Sequence, residues 1–213
     1  MRKPTGVFCA IIIVMNNKIA LFIDGENLRH YLENVIVEKK LDKNKYSILN
    51  INFGKLFEGP LTGMGEVTKT YYSAKLHALP ETEKASKFLI ERQRILKTRL
   101  EKQGYEFLIA GHVRPQFVKQ NGKTKVVFKE KGVDVRIAVD LVKTAVDKNF
   151  LTVVLCSSDS DLQPAIKEAR NRGLEIIYLG FESQPNKGLT YTTNKTILLR
   201  NSEIIGALEG IKK

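Results

Sequence analysis

The sequence is poor in cysteine and contains neither repeats nor low-complexity linkers. Two cysteines occur among 213 residues, and neither Cys9 nor Cys156 has a CxxC partner or a histidine at ligand spacing. A disulfide framework and a zinc site are therefore not predicted, and a reduced cytoplasmic thiol pair is the better interpretation. A chain of this length buries a substantial core without such staples.

Long hydrophobic runs are also missing. The longest, Gly6 to Met15, is too short for a membrane span, which needs about 20 residues. It follows two basic residues as in a signal peptide, but no small-residue cleavage site follows it. Residues 1–18 are interpreted as an N-terminal extension that is either non-native or forms an extra strand, because Met15 is a plausible initiator methionine. Residues 19–213 are interpreted as one domain.

Familiar catalytic and cofactor motifs are absent. The sequence contains no GxGxxG and no Walker phosphate loop, so a nucleotide cofactor is not indicated. His30, His77 and His112 are scattered, and no Ser/His/Asp or Cys/His arrangement is evident. What the chain does have is positive charge: 35 Lys and Arg against 23 Asp and Glu, a formal net charge of +12. This excess predicts an anionic partner, either nucleic acid or a membrane surface.

Strand and helix patterns alternate along the chain. This order predicts a three-layer α/β/α sandwich with a mainly parallel central sheet. The predicted strands are Lys18–Ile23, Val67–Leu76, Tyr105–Ala110, Leu151–Cys156 and Glu175–Leu179, and the main helices are Glu26–Val37, Glu81–Gln103, Val133–Val146 and Leu162–Arg172.

A projecting basic β-hairpin is predicted between the third strand and the next helix. Two alternating segments flank Asn121-Gly122, a strong hairpin signal. Its cations suit phosphate contacts, and Phe117 and Phe128 either stack on bases or cover the core. The candidate nucleic-acid-binding residues are Arg114, Lys119, Lys123, Lys125, Lys129 and Lys131.

Acidic residues follow the predicted strands. Asp24 ends the first strand, Asp134 begins the helix after the hairpin, and Asp159 and Asp161 follow a later strand. Carboxylates that meet at the carboxyl ends of strands repel one another unless a cation lies between them, and such oxygen-rich sites suit Mg²⁺ or Mn²⁺. Alternatively, each acid serves only a turn or a helix N-terminus.

Several neighbouring polar residues have two interpretations. Asn27 either caps its helix or supports Asp24. Ser157 and Ser158 either form a turn or position the loop and a phosphate oxygen. Asp140 lies about 240° round the helix from Asp134, so we expect it to pair with Arg136 or Lys143 instead.

Three blocks of sequence resemble the NYN domain, the LabA-like branch of the PIN-like nucleases. They are Ile19–Leu28, Lys131–Leu141 and Val153–Asp161. The resemblance extends to about Leu199 and implies a PIN-like fold with a divalent-metal ribonuclease site. In this chain it assigns catalysis and metal binding to Asp24, Asp134 and Asp159, with Asn27, Asp161, Ser157 and Ser158 as auxiliary residues.

The chain differs from the family pattern in two places. Ser158 replaces a common glycine, and Asn194 stands where members often have an acid. The leading hypothesis is a cytoplasmic, metal-dependent endoribonuclease that hydrolyses single-stranded RNA, without membrane association and either monomeric or a homodimer. The alternative is an RNA-binding module of the same fold with weak or no catalysis.

Overall fold

A computed structural model describes residues 18–42, 45–77, 82–120 and 123–209. The predicted N-terminal extension up to residue 17 and the Asn121-Gly122 turn lie outside these ranges. The strands are β1 Ile19–Asp24, β2 Val67–Lys75, β3 Tyr105–Gln120, β4 Lys123–Lys131, β5 Thr152–Cys156, β6 Glu175–Phe181 and β7 Lys195–Leu199. The helices are α1 Gly25–Glu38, α2 Phe53–Glu58, α3 Glu83–Lys102, α4 Val133–Asp147, α5 Gln163–Asn171, α6 Lys187–Thr192 and α7 Asn201–Glu209.

The strands form one sheet with the order β4-β3-β2-β1-β5-β6-β7. All neighbouring strands are parallel except β3 and β4, which are antiparallel. β1 pairs with β2 on one side and β5 on the other, so the chain changes direction across the sheet at β1. In open α/β sheets the crevice at such a switch point, beyond the carboxyl ends of the strands, is the usual ligand site.

Helices cover both faces of the sheet, as the sequence predicts. All six residues of β1 are buried, because alternate side chains enter two separate cores. Leu21 and Ile23 pack with α1, α2, α3 and α7, whereas Ala20 and Phe22 pack with α4, α5 and α6. The continuous apolar run of β1 therefore reflects burial on two faces. Within the described residues, no helix has the length and apolar character needed to cross a membrane.

The predicted third strand and the first hairpin segment form one strand, β3, and the predicted end at Ala110 is wrong. Pairing with β4 runs from His112 opposite Lys131 to Gln120 opposite Lys123. The strand continues through an irregularity beside Ser73 and Lys75 of β2. Gly111 lies there with a φ of +67°, a conformation that costs other L-residues energy. We call the paired segments of β3 and β4, residues 112–120 and 123–131, the ribbon.

The ribbon depends on the close approach of Gly111 to the end of β4. A Cβ atom at position 111 would collide with the carbonyl oxygen of Lys131, whereas Gly104, with a similar φ of +77°, has open space around it. Gly104→Ala should lower the free energy of unfolding by about 1 kcal/mol through backbone strain alone. Gly111→Ala should cost a further ~1–3 kcal/mol because of the collision. Urea unfolding of both variants checks this, and equal losses would contradict it.

Candidate active site

Asp24 occupies the carboxyl end of β1 and is only 2% exposed. It is the N-cap of α1: its Oδ1 accepts a hydrogen bond from the Asn27 backbone N–H at 3.0 Å. Its Oδ2 accepts from Asn27 Nδ2 at 2.8 Å and from Ser157 Oγ at 3.0 Å. Burial raises the pKa of Asp24, although these hydrogen bonds oppose the shift. The carboxylate is therefore held in one orientation by two segments of chain.

The glycine after Asp24 is required by close packing against β2. A Cβ atom at Gly25 would collide with the Tyr71 ring and with the carbonyl oxygen of Tyr72. The Tyr71 hydroxyl donates a 3.2 Å hydrogen bond to the Gly25 carbonyl. The Asp-Gly step is thus more than a turn, because it brings the start of α1 against β2 and fixes the direction of Asp24.

Asn27, Ser157 and Ser158 connect α1 to the loop after β5. Asn27 is not the helix cap, because Asp24 has that role; its Oδ1 accepts from the Ser158 backbone N–H at 3.3 Å. Ser157 is fully buried, and besides donating to Asp24 it accepts from the Asp159 N–H at 3.1 Å. The serines therefore do more than form a turn, since they set the position of the loop relative to Asp24.

Asp159 and Asp161 occupy different environments, as their separation by two residues suggests. Asp159 caps the short 3₁₀ turn Ser160–Leu162, and its Oδ1 accepts from the Asp161 N–H at 2.8 Å. Asp159 is half-buried, whereas the Asp161 side chain is exposed. Asp161 borders a shallow hollow that it shares with Asp134.

Asp134 lies in the first turn of α4 and is close enough to Asp24 and Asp159 to feel both charges. β4 runs antiparallel to β3 and ends with Lys131 opposite His112, which pairs with Lys75 at the end of β2. α4 therefore begins at the same edge of the sheet as the end of β2. Burial, the charges of Asp24 and Asp159, and a hydrogen bond with Asp159 raise the pKa of Asp134 to about 6. Asp134 is thus the acid whose charge interacts with both Asp24 and Asp159.

Two glutamates that the sequence analysis did not select also face this crevice. Burial, followed by the charges of Asp24, Glu26 and Asp134, raises the pKa of Glu130 to about 8. Burial acts to raise the pKa of Glu26 as well, but hydrogen bonds and charge from Arg29 outweigh it and lower the pKa. The sequence could have predicted that Glu130 differs from its neighbours, because strand alternation places it on the face opposite Lys129 and Lys131.

Asn186 is a further residue that sequence reasoning missed. Its Nδ2 donates to the Ser158 carbonyl at 2.8 Å, while its Oδ1 caps α6 through the Leu189 N–H. An asparagine before a helical segment was the signal for the cap, but nothing local indicated the contact with the loop. The Ser158 Oγ is buried and has no hydrogen-bond partner among the described residues.

Two other polar residues lie outside the site. Asp140 pairs with Arg136 Nε at 2.9 Å, as predicted, and accepts from the Tyr72 hydroxyl at 3.0 Å. Asn194 exchanges hydrogen bonds with the backbone of Ile176, at the amino end of β6. That end of the sheet is opposite the acidic crevice, so the amide at Asn194 does not remove a ligand from it.

The donor set fits a hydrated divalent cation. Among the described residues, no three His, Cys, Asp or Glu side chains lie together as a ready-made ligand group for one ion. Mg²⁺ keeps several water ligands and is commonly held through only one or two carboxylates. The oriented Asp24 carboxylate and the raised pKa of Asp134 match such a site, because a cation would relieve the repulsion between the acids. The residues that would hold it are Asp24, Asp134 and Asp159.

Four of the six predicted nucleic-acid-binding residues have described side chains, and these lie on the ribbon beside this crevice. Arg114, Lys119, Lys129 and Lys131 are exposed, and the side chains of Lys123 and Lys125 lie outside what the structure describes. Pairing places Arg114 directly opposite Lys129 and His112 opposite Lys131. Alternation puts His112, Arg114, Lys129 and Lys131 on one face of the ribbon, and it puts Lys119 on the other face, with Glu130.

These features define a three-layer α/β/α domain with acidic side chains gathered at the strand ends. The NYN domain family matches residues 18–200, so the chain belongs to this family of PIN-like nucleases. The crystal structure of a protein of unknown function from Vibrio parahaemolyticus is similar, with a TM-score of 0.54 and 18% identity over 86% of this chain and 93% of that chain. At this identity the similarity shows the fold alone. No curated protein matches the chain.

Asp134→Asn should stabilise the metal-free protein near neutral pH. With a pKa of about 6 in the folded state against its usual 3.8, Asp134 binds more protons when folded between these values. The free energy of unfolding of the wild type should therefore fall as pH rises through this range, and Asn should prevent that loss. We expect a gain on the order of 1 kcal/mol at pH 7.5, since solvent screens a half-buried group, and little at pH 4. Urea unfolding with a chelator measures it.

Asp24→Asn is the comparison. In this variant an amide NH₂ group would replace the Oδ2 atom that accepts from Asn27 Nδ2, so two hydrogen-bond donors would face each other. This mismatch costs about 1–3 kcal/mol and offsets the relief of repulsion. A stabilisation by Asp24→Asn as large as that by Asp134→Asn would contradict this description of the site.

Proposed function

We propose that the protein is a divalent-metal-dependent ribonuclease that hydrolyses phosphodiester bonds in single-stranded RNA. The observation that carries the proposal is the Asp24 carboxylate, which is buried, held by three hydrogen bonds and close enough to Asp134 to raise its pKa. A carboxylate that served only as a helix cap would need neither the Ser157 hydroxyl nor Asp134 as an acidic neighbour. Membership of a nuclease family supports the same activity.

The residues of the chain divide into those that hold a cation and those that orient them. Mg²⁺ or Mn²⁺ bound at such acids acts as a Lewis acid on a phosphoryl oxygen and lowers the pKa of a bound water. Asp24, Asp134 and Asp159 supply the negative charge. Asn27 and Ser157 hold Asp24 in place, and Ser157 also fixes the Asp159 backbone.

The ribbon accounts for the choice of a polyanionic substrate. Like charges directly opposite each other in a strand pair are destabilising, yet Arg114 faces Lys129 across the ribbon. A phosphate between them would remove the repulsion and form charge-assisted hydrogen bonds. Because a single strand can bend from this basic face into the acidic crevice, single-stranded RNA is the proposed substrate.

A binding module without turnover is the alternative. The substitution of glycine by Ser158 still supports it, but Asn194 does not, because it lies at the other end of the sheet. A cytoplasmic location and a homodimer stay predictions. The rival functions differ in a single observable, namely whether labelled RNA is cut.

Cleavage of labelled single-stranded RNA should require Mg²⁺ or Mn²⁺ and should stop with a chelator. Asp24→Asn and Asp159→Asn should abolish cleavage while RNA binding persists, because each removes charge from the proposed cation site. Asp161→Asn should retain partial activity and lose on the order of 0.3–1 kcal/mol of stability, because the exposed acid acts near a helix start. Gel assays and melting of the three variants measure this. An active Asp159→Asn variant beside an inactive Asp161→Asn variant would reverse the assignment.

Lys129→Gln and Lys131→Gln should weaken RNA binding similarly for all sequences. If each lysine contacts a phosphate, each loss should reduce the slope of log affinity against log salt by about 0.7, the value for single strands. Lys167→Gln, an exposed site on α5 outside the ribbon, is the control and should leave the slope unchanged. Titrations at several salt concentrations measure the slope, and an unchanged slope in the two ribbon variants would show that RNA follows another path.

A further inference from the structure

A groove of about 450 Å³ opens beside the acidic crevice, between α1, α3 and the ribbon. Its volume lies within the range of sites that bind small organic groups. Gly25, Glu26 and Glu130 line it at the end that adjoins Asp24. A group seated in the groove would therefore be continuous with one at the acidic crevice.

The walls of the groove are largely apolar. Leu89 and Leu96 contribute from α3, and Phe128 contributes from β4. Phe128 is half-buried and, among the residues that the structure describes, it belongs to neither core. An aromatic ring at the wall of such a groove offers a flat surface on which a planar ligand can stack.

Three glutamates and two arginines, Arg29 and Arg92, line the groove, so it has no excess of positive charge that would favour a phosphate over a neutral ligand. Arg29 is already paired with Glu26 and with Glu33, both of which line the groove. Gln93 Nε2 donates to Ser73 Oγ at 2.9 Å and to the Ala74 carbonyl at 2.7 Å, which fixes the orientation of its amide. A nucleobase is planar, uncharged and rich in hydrogen-bonding edges, and it matches this lining.

The two faces of the ribbon carry side chains that suit different parts of a nucleotide. Strand alternation places Phe128 and Glu130 on the face that lines the groove, and Lys129 and Lys131 on the opposite face. Consecutive residues of β4 thus offer an aromatic surface on one side and positive charge on the other. A single-stranded nucleic acid that crosses the ribbon would present bases to the first face and phosphates to the second.

We infer that this groove binds the base of an unpaired nucleotide next to the phosphate at the acidic crevice, with Phe128 as its stacking surface. The inference rests on the proposed function, because it takes the scissile phosphate to lie near Asp24. It makes Phe128 a substrate-binding residue that excludes a fully paired strand, whose bases remain stacked inside the duplex.

Binding of short oligouridine RNA tests the inference without requiring turnover. The probes are fluorescent hexanucleotides in which each position in turn is abasic, titrated in a chelator with fluorescence anisotropy as the readout. In the wild-type protein one position should be sensitive, with binding about 5- to 150-fold weaker when its base is missing, the usual effect of base stacking on an aromatic side chain. In Phe128→Ala the affinity should not depend on which position of the RNA is abasic.

Matched variants distinguish a loss of base stacking from a loss of folding. Phe128→Tyr keeps a ring and should keep the sensitive position, whereas Phe128→Leu keeps apolar bulk without the ring and should lose it. Phe88→Ala removes another phenylalanine, 62% exposed on α3 and not part of the groove lining, and should retain the wild-type pattern. Retention of that pattern in both Phe128→Ala and Phe128→Leu would overturn the inference.

The same experiments distinguish failure of the subsite from failure of the hydrolase. A flat series in a wild-type protein that cleaves RNA overturns the subsite alone. A sensitive position in a protein that cleaves nothing supports the subsite and contradicts hydrolysis. Absence of any binding to these RNAs, together with absence of cleavage in Mg²⁺ or Mn²⁺, contradicts both.

Discussion

The burial of one carboxylate constrains the central part of this structure. Removing a charged carboxylate from water costs several kcal/mol unless donors or cations compensate. Asp24 receives its donors from the start of α1 and from Ser157 after β5. β1, α1 and the β5 loop must therefore keep a fixed arrangement, and the close packing of Gly25 on β2 adds a third element to it.

The distribution of charge follows from the same constraint. Glu26, Glu130 and Asp134 interact electrostatically with Asp24, and Asp159 interacts with Asp134, within a chain whose formal net charge is +12. The neighbouring ribbon carries exposed cations, two of which, Arg114 and Lys129, lie directly opposite each other. Acids gathered in a crevice and cations gathered on the adjoining surface are complementary to a divalent ion and a polyanion, respectively. In the proposed function, a divalent ion would relieve the repulsion among the acids, and RNA would relieve the repulsion among the cations.

Much of the fold was predictable because each local pattern agrees with the three-layer arrangement. The doubly buried run of β1 indicated a strand correctly, and the positions of Asp24 and Asp159 after β1 and β5 followed from the parallel order of these strands. β3 was predicted to end at Ala110 because the irregularity at Gly111 depends on its contact with Lys131, a residue that is distant in sequence.

The supporting residues of the site were harder to predict. Asn186 has an ordinary capping role in the sequence, and only tertiary structure brings it to the Ser158 carbonyl. Glu130 was hidden among lysines, although alternation places it on the opposite face of β4. Asn194 was given undue weight, because the direction of β7 determines which end of the sheet it occupies. In each case the missing information was a contact between elements.

The central claim is that Asp24, Asp134 and Asp159 together hold a divalent cation. The most direct measurement is anomalous scattering from Mn²⁺ in crystals of the wild-type protein and of Asp24→Asn. The account predicts a strong anomalous peak between these three carboxylates in the wild type, reached directly or through ordered waters, and its loss in the variant. A peak elsewhere, or no peak at saturating Mn²⁺, would contradict it.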